Sequence, residues 1–133
     1  MKKISKYPII TSILILIIFV IITGCVLLEF KKILRDNPVE NVDFREVKDG
    51  VYNGWFDARL VAARVEVAVS DGKIFDIKIL QHDHGKGHSG EAILVEVLNK
   101  QTLDVNMISG ATASSQTILK AIEIALRKGM DNE

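Results

Sequence analysis

Residues 61–79, VAARVEVAVSDGKIFDIKI, alternate in hydropathy on both sides of an Asp-Gly pair. Val61, Ala63, Val65, Val67 and Val69 share one side of an extended chain, with Ala62, Arg64, Glu66, Ala68 and Ser70 on the other. Beyond Asp71-Gly72 the two-residue period resumes in Phe75, Ile77 and Ile79, so the stretch reads as an antiparallel hairpin. A two-residue loop with a regular ladder opposes Asp76 to Val67. A three-residue loop, Asp71-Gly72-Lys73, opposes Val69, Val67 and Val65 to Phe75, Ile77 and Ile79, and the match of apolar faces favours it.

Working outward, Asp49-Gly50 marks a turn before a short β-prone stretch holding Val51, Tyr52, Trp55 and Phe56. Residues 81–90, QHDHGKGHSG, read as a polar loop, and residues 90–98 as a helix with either Ala92, Val95 and Leu98 or Ile93 and Val97 as its apolar stripe. The clearest helix is the last. Ile118, Ala121, Ile122, Ala125 and Leu126 line one side of it, Ser114 or Ser115 is suited to cap its start, and Gly129 to stop it. Glu123 and Arg127 stand four apart in the favourable order, while Lys120, Arg127 and Lys128 read as its solvated flank. The expected fold is α+β: a small antiparallel sheet packed by helices, preceded by one transmembrane helix.

That first helix comes from residues 9–28, which carry no charge and are mostly Ile, Leu, Val and Phe. Twenty helical residues span about 30 Å, the thickness of a bilayer core. Lys2, Lys3 and Lys6 precede the block with no acid among them, which predicts a cytoplasmic N-terminus and an extracytoplasmic C-terminal domain. Ile22-Thr23-Gly24-Cys25 has the form of a lipobox, so a lipoprotein modified at Cys25 is the alternative. Val26, Leu27 and Leu28 carry the apolar run past the cysteine and favour the uncleaved anchor. Residues 31–44, with Pro38 and alternating charges, read as a spacer or, alternatively, as an edge of the folded domain.

The chain's formal charge of zero conceals an asymmetry. From Asp36 onward there are 11 Lys and Arg against 16 Asp and Glu, a net charge of −5 with no basic stripe, which argues against binding nucleic acid. One cysteine excludes an internal disulfide framework or a cysteine-built iron–sulfur centre. His82, His84 and His88, spaced His-x-His-x-x-x-His, are weak as a metal pattern, and no metal site is expected. Nor is there a nucleophile–base–acid constellation.

Chemistry concentrates in Ser109-Gly110-Ala111-Thr112-Ala113-Ser114-Ser115, where small and hydroxyl residues lead into the last helix. Small side chains let another group approach the backbone, and the free amides of a helix start favour an anion, especially a phosphate. An ordinary loop and cap has the same composition.

Residues 108–115, ISGATASS, resemble the signature of the FMN-binding domain family, whose relatives include covalently flavinylated subunits of sodium-translocating quinone reductases and Rnf-type electron-transfer complexes. Residues 49–54, DGVYNG, are similar to that family's entrance strand, and residues 65–79 to its main hairpin. The resemblance implies FMN as cofactor, esterified through its phosphate to Thr112 by a separate flavin transferase. Ser109, Gly110, Ala111, Ser114 and Ser115 would surround that phosphate, and His84 or His82 would line the flavin. Tyr52 and Trp55 could stack near a flavin, but they are read as core or edge aromatics, core first.

The implied protein is an extracytoplasmic electron carrier with membrane or extracytoplasmic redox partners rather than a stand-alone enzyme. Residues 1–30 would be cytoplasmic tip and bilayer anchor, 31–44 spacer, and 45–130 the FMN-binding domain. One departure motivates an alternative. The family commonly has an aspartate where this chain has Asn106, so a non-flavinylated, membrane-anchored binding or structural module of the same fold is the competing reading.

Overall fold

The computed structural model describes residues 7–83 and 88–130, in two compact units, 1–32 and 33–133. Helix α1 is Tyr7–Asp36, and among the described residues it is the one helix long and apolar enough to cross a membrane. Its 30 residues extend about 45 Å. Ile9 to Ile22 expose their apolar side chains throughout, as a lipid-facing surface requires.

In the second unit, strands β1 (Gly50–Asp57), β2 (Ala62–Ser70) and β3 (Lys73–Asp83) form an antiparallel sheet in the order β1-β2-β3. After β3 come a 3-10 segment (His88–Ala92), α2 (Ile93–Lys100) and α3 (Thr112–Met130). The α+β class and the antiparallel hairpin are as the alternation predicts. Residues 81–83, assigned above to a polar loop, instead continue β3. In α2 the buried stripe is Ile93 and Val97, while Val95 stays exposed.

The hairpin corrects the expected loop. Ser70 pairs with Lys73, leaving only Asp71 and Gly72 in the turn. Both have positive φ, 52° and 70°, the backbone of the tight hairpin turn whose twist suits antiparallel strands. Val69 then faces Ile74, and Phe75 is an extra residue in β3, because Ala68 pairs with Asp76. This bulge restores the alignment of Val67 with Ile77 and of Val65 with Ile79. The apolar faces match as anticipated, through a short turn plus a bulge rather than a longer loop, and Ile74 takes the buried place assigned to the exposed Phe75.

Helix α3 covers one face of the sheet. Ile118, Ala121, Ile122, Ala125 and Leu126 are fully buried against Val65, Val67, Val69 and their neighbours. Each large aliphatic side chain so buried contributes about 1.5–3 kcal/mol. The helix lies so close to β1 that a Cβ on Gly54 would overlap the Ala121 carbonyl oxygen. At the far end Gly129 does not stop α3 but lies within it, seated against Val47 and Tyr52, where a Cβ would come 2.6 Å from Val47 Cγ1. Tyr52 packs on the core and donates to the Lys48 carbonyl at 2.7 Å. Trp55 is an edge rather than a core aromatic: exposed on the edge strand β1, it has the Arg64 guanidinium 5.0 Å from its ring centre.

A second side of α3 is polar and also partnered. Gln116 donates to Leu34 O at 2.6 Å, and Lys120 to Pro38 O at 3.0 Å. Glu123 accepts from the Glu40 amide at 3.0 Å, from Lys120 at 2.9 Å and from Arg127 at 2.8 Å. These residues recur at helical spacing and hold residues 34–40 along the helix. Lys120 is therefore not solvated flank, its side chain being 15% exposed. Farther on, Val42 and Phe44 enter the core, so residues read above as spacer or domain edge supply part of the hydrophobic interior.

On the opposite edge, Gln101 has φ 51° and its amide both accepts from the Ile74 N–H and donates to the Ile74 carbonyl, each at 2.8 Å. One side chain thus takes the place of a neighbouring strand at that point of β3.

Two outcomes are expected. Gly54→Ala should lower stability by about 3 kcal/mol, seen as an earlier urea midpoint, because the added methyl meets helix backbone that cannot swing aside. Burial pushes the Glu123 carboxyl up, but the Glu40 amide, Lys120 and Arg127 outweigh burial and hold its pKa below the ordinary glutamate value. As pH falls, the unfolded chain therefore takes up this proton first. The stabilisation is complete above the ordinary glutamate range, near pH 4, and is lost as pH drops through and below it. Glu123→Gln should lower stability at pH 7 by about 2 kcal/mol and flatten this acid limb in pH-dependent urea titrations.

Candidate functional site

The small-residue run forms the turn into α3 and the helix's first residues, and the structure divides it in two. Ser109, Gly110 and Thr112 are exposed, whereas Ala111, Ser114 and Ser115 are buried. Thr112 is the exposed first residue of α3. Neither Ser114 nor Ser115 is the N-cap, since both lie within the helix. The first amide of α3 bonded within the turn is that of Ser115, which donates to Ala111 O at 2.9 Å; those of Thr112, Ala113 and Ser114 precede it at the positive end of the helix dipole.

The turn is closed by hydrogen bonds. Ala111 N–H donates to Ile108 O at 2.9 Å, while the Ser115 hydroxyl accepts from Ile108 N–H at 3.1 Å and donates to Ala111 O at 2.8 Å. Gly110 has φ 77°, which favours glycine, and the space where its Cβ would point is open to 4 Å.

Smallness inside the run has a packing cause. A Cβ on Gly90, in the 3-10 segment, would come 2.6 Å from Ser114 Cβ and 3.2 Å from Ser115 N. That segment therefore lies directly on the first residues of α3. His82, at the end of β3, ties it down: His82 Nδ1 is 2.9 Å from Glu91 Oε1, and the histidine side chain is 2% exposed. His82 belongs to the interior rather than to a solvated loop. His84 lies outside the described residues.

Asn106 is exposed in the segment leading to the turn, as is Asp104. Two clefts among the described residues lie elsewhere. One of about 440 Å³ is lined by Trp55, Arg64, Leu80 and Lys128, and one of about 480 Å³ by Asp43, Arg45, Lys73 and Gln101. The arrangement at Thr112 is instead a surface hydroxyl beside free helix-start amides and an open glycine. Such an arrangement favours an anion, a phosphate above all.

Gly90, Gln101 and the buried Glu123 escaped the reading of the sequence. Glu123 had a signal: with Gln116, Lys120 and Arg127 it repeats at intervals of four, three and four, the mark of a second contact face on one helix. Gly90 and Gln101 act through partners far along the chain, which no local pattern announces.

Comparison with known proteins gives two findings. Residues 62–127 match the family model of the FMN-binding domain. An uncharacterized protein of Treponema pallidum (strain Nichols) is 27% identical over 86 residues, a match covering 62% of this chain and 24% of that protein's length. No solved structure matches the chain.

Gly90→Ala should force the 3-10 segment off α3 and lower stability by about 1–3 kcal/mol. Adding Ser114→Gly, which removes the opposing Cβ, should recover part of that loss in a double-mutant cycle followed by urea unfolding.

Proposed function

The domain at residues 62–127 belongs to the FMN-binding family, with FMN as its cofactor, and from that premise we propose a membrane-anchored electron carrier whose FMN is esterified to Thr112. The observation that carries this reading is the position of Thr112: the threonine of the SGAT run is the exposed first residue of α3, with helix-start amides beside it. A phosphodiester retains one negative charge at neutral pH, and amides at a helix start stabilise such a charge by about 0.3–1 kcal/mol. Gly110 leaves room on the exposed side of the turn, and exposed Ser109 supplies a further hydroxyl donor. FMN, when bound, supplies one- and two-electron transfer, while the protein sets its position and surroundings.

Helix α1 anchors the carrier in the bilayer. The lysines ahead of its apolar block favour an extracytoplasmic domain, where a covalent bond prevents loss of the cofactor. The partners are then a flavin transferase for attachment and redox proteins or quinones, in the membrane or outside it, for electrons. Asn106, where the family commonly has an aspartate, favours one second reading: the same anchored fold without the covalent bond.

Co-expression with a flavin transferase separates the two. The full chain should gain the mass of one FMN residue and fluoresce in a denaturing gel, and Thr112→Ala should lose both while keeping the wild-type circular dichroism and unfolding midpoint to within about 0.5 kcal/mol. Wild-type protein at its unmodified mass would leave the non-covalent reading. Fluorescence retained in Thr112→Ala would assign attachment to another residue.

A further inference from the structure

We propose that Ser115 is a positioning residue for the modification of Thr112, and that it is not a ligand of the phosphate. The inference rests on the reading that Thr112 is the attachment residue. Ser115 is 0% exposed, and its hydroxyl is engaged twice: it accepts from Ile108 N–H at 3.1 Å and donates to Ala111 O at 2.8 Å. Its single proton is used, and the residue is buried while Thr112 is exposed. Ala111 O thereby receives both the hydroxyl and the amide of Ser115, so one buried residue ties the two ends of residues 108–111 to the first turn of α3.

Without that hydroxyl, the turn would keep its backbone bonds from Ala111 N–H to Ile108 O and from Ser115 N–H to Ala111 O, but would lose the tie from Ile108 to the helix, next to a glycine at φ 77° that is free to adopt other conformations. Ile108 N–H would be left without this acceptor. The Thr112 hydroxyl would then spend less time in any one orientation, and a group-transfer step depends steeply on orientation.

The step itself requires an activated flavin. Direct esterification of a phosphate by an alcohol expels water and is unfavourable in water, so the donor is a flavin nucleotide whose phosphate is already in an anhydride, such as flavin adenine dinucleotide. The Thr112 oxygen forms the new bond to phosphorus and the anhydride P–O bond breaks. The departing nucleoside monophosphate takes the electron pair, and the threonine proton passes to a base of the transferase. No electrons are gained or lost. Ser115 touches none of these atoms and acts through the shape of the turn.

The test labels detergent-solubilised full chain with purified flavin transferase and flavin adenine dinucleotide, following covalent fluorescence against acceptor concentration. Ser115→Ala should slow the maximal rate by roughly 10- to 100-fold, with a much smaller change in the half-saturating acceptor concentration. Ser115→Cys keeps a donor and an acceptor on the same atom, with weaker bonds and a slightly larger side chain, so it should retain part of the tie and label at an intermediate rate. Val69→Ala, in the core near the hairpin turn, should lower the unfolding temperature comparably and leave the labelling rate unchanged. Wild-type rates in both Ser115 variants, or equal slowing in Val69→Ala, would overturn the positioning role and leave Thr112 as the attachment residue. A wild-type chain that takes no label, or takes it at another residue, would remove the attachment reading and this inference with it.

Discussion

The closest constraint in the folded unit is the contact of β1 with α3, where a Gly54 hydrogen faces the Ala121 carbonyl and no larger atom fits. This approach lets one helix bury Ile118, Ile122, Ala125 and Leu126 against β1 and β2. A three-stranded sheet has little area of its own, and a helix held farther away would leave voids along the seam. Glycine inside a strand ordinarily weakens it; here the loss is offset by helix–sheet packing that a side chain would prevent.

Everything functional then hangs from α3. Its apolar side meets the sheet, its polar side holds residues 34–40 through Gln116, Lys120 and Glu123, and its start carries Thr112. The buried glutamate is tolerable because its charge meets two cations and a backbone amide; an isolated carboxylate there would be expelled or protonated. A helix fixed on two sides has little freedom to tilt, so its first residue is a stable point of presentation. Rigidity at such a point matters for an FMN-binding domain, because the protein supplies the cofactor's position and surroundings.

Much of this was legible in the residues, for identifiable reasons. Period-two alternation from Val61 to Ile79 gave the hairpin, and the spacing of Ile118, Ile122 and Leu126 gave the last helix and its buried side, because both patterns are local. The loop length was misjudged because a bulge at Phe75 lets a two-residue turn coexist with matched apolar faces, which alternation by itself does not reveal. Ser114 and Ser115 look like caps from composition, yet the helix begins two residues before Ser114, and packing against Gly90 is what keeps Ser114 small. Val42, Phe44, Gly90 and Gln101 owe their roles to partners distant in the chain, so their neighbours in sequence gave no warning. At the candidate site, Thr112 stands out through the likeness of eight residues to a known signature, and the structure adds that it is exposed at a helix start.

Residues 33–44 carry a consequence for proteolysis. They end a long apolar helix, yet they also bind α3 and place Val42 and Phe44 in the interior. A protease that shed the domain by cutting after Phe44 would remove a wall of its hydrophobic centre and release a damaged fragment. Cleavage at or ahead of Ile33 would leave that wall in place, so the site of the cut decides whether the released domain keeps its interior whole.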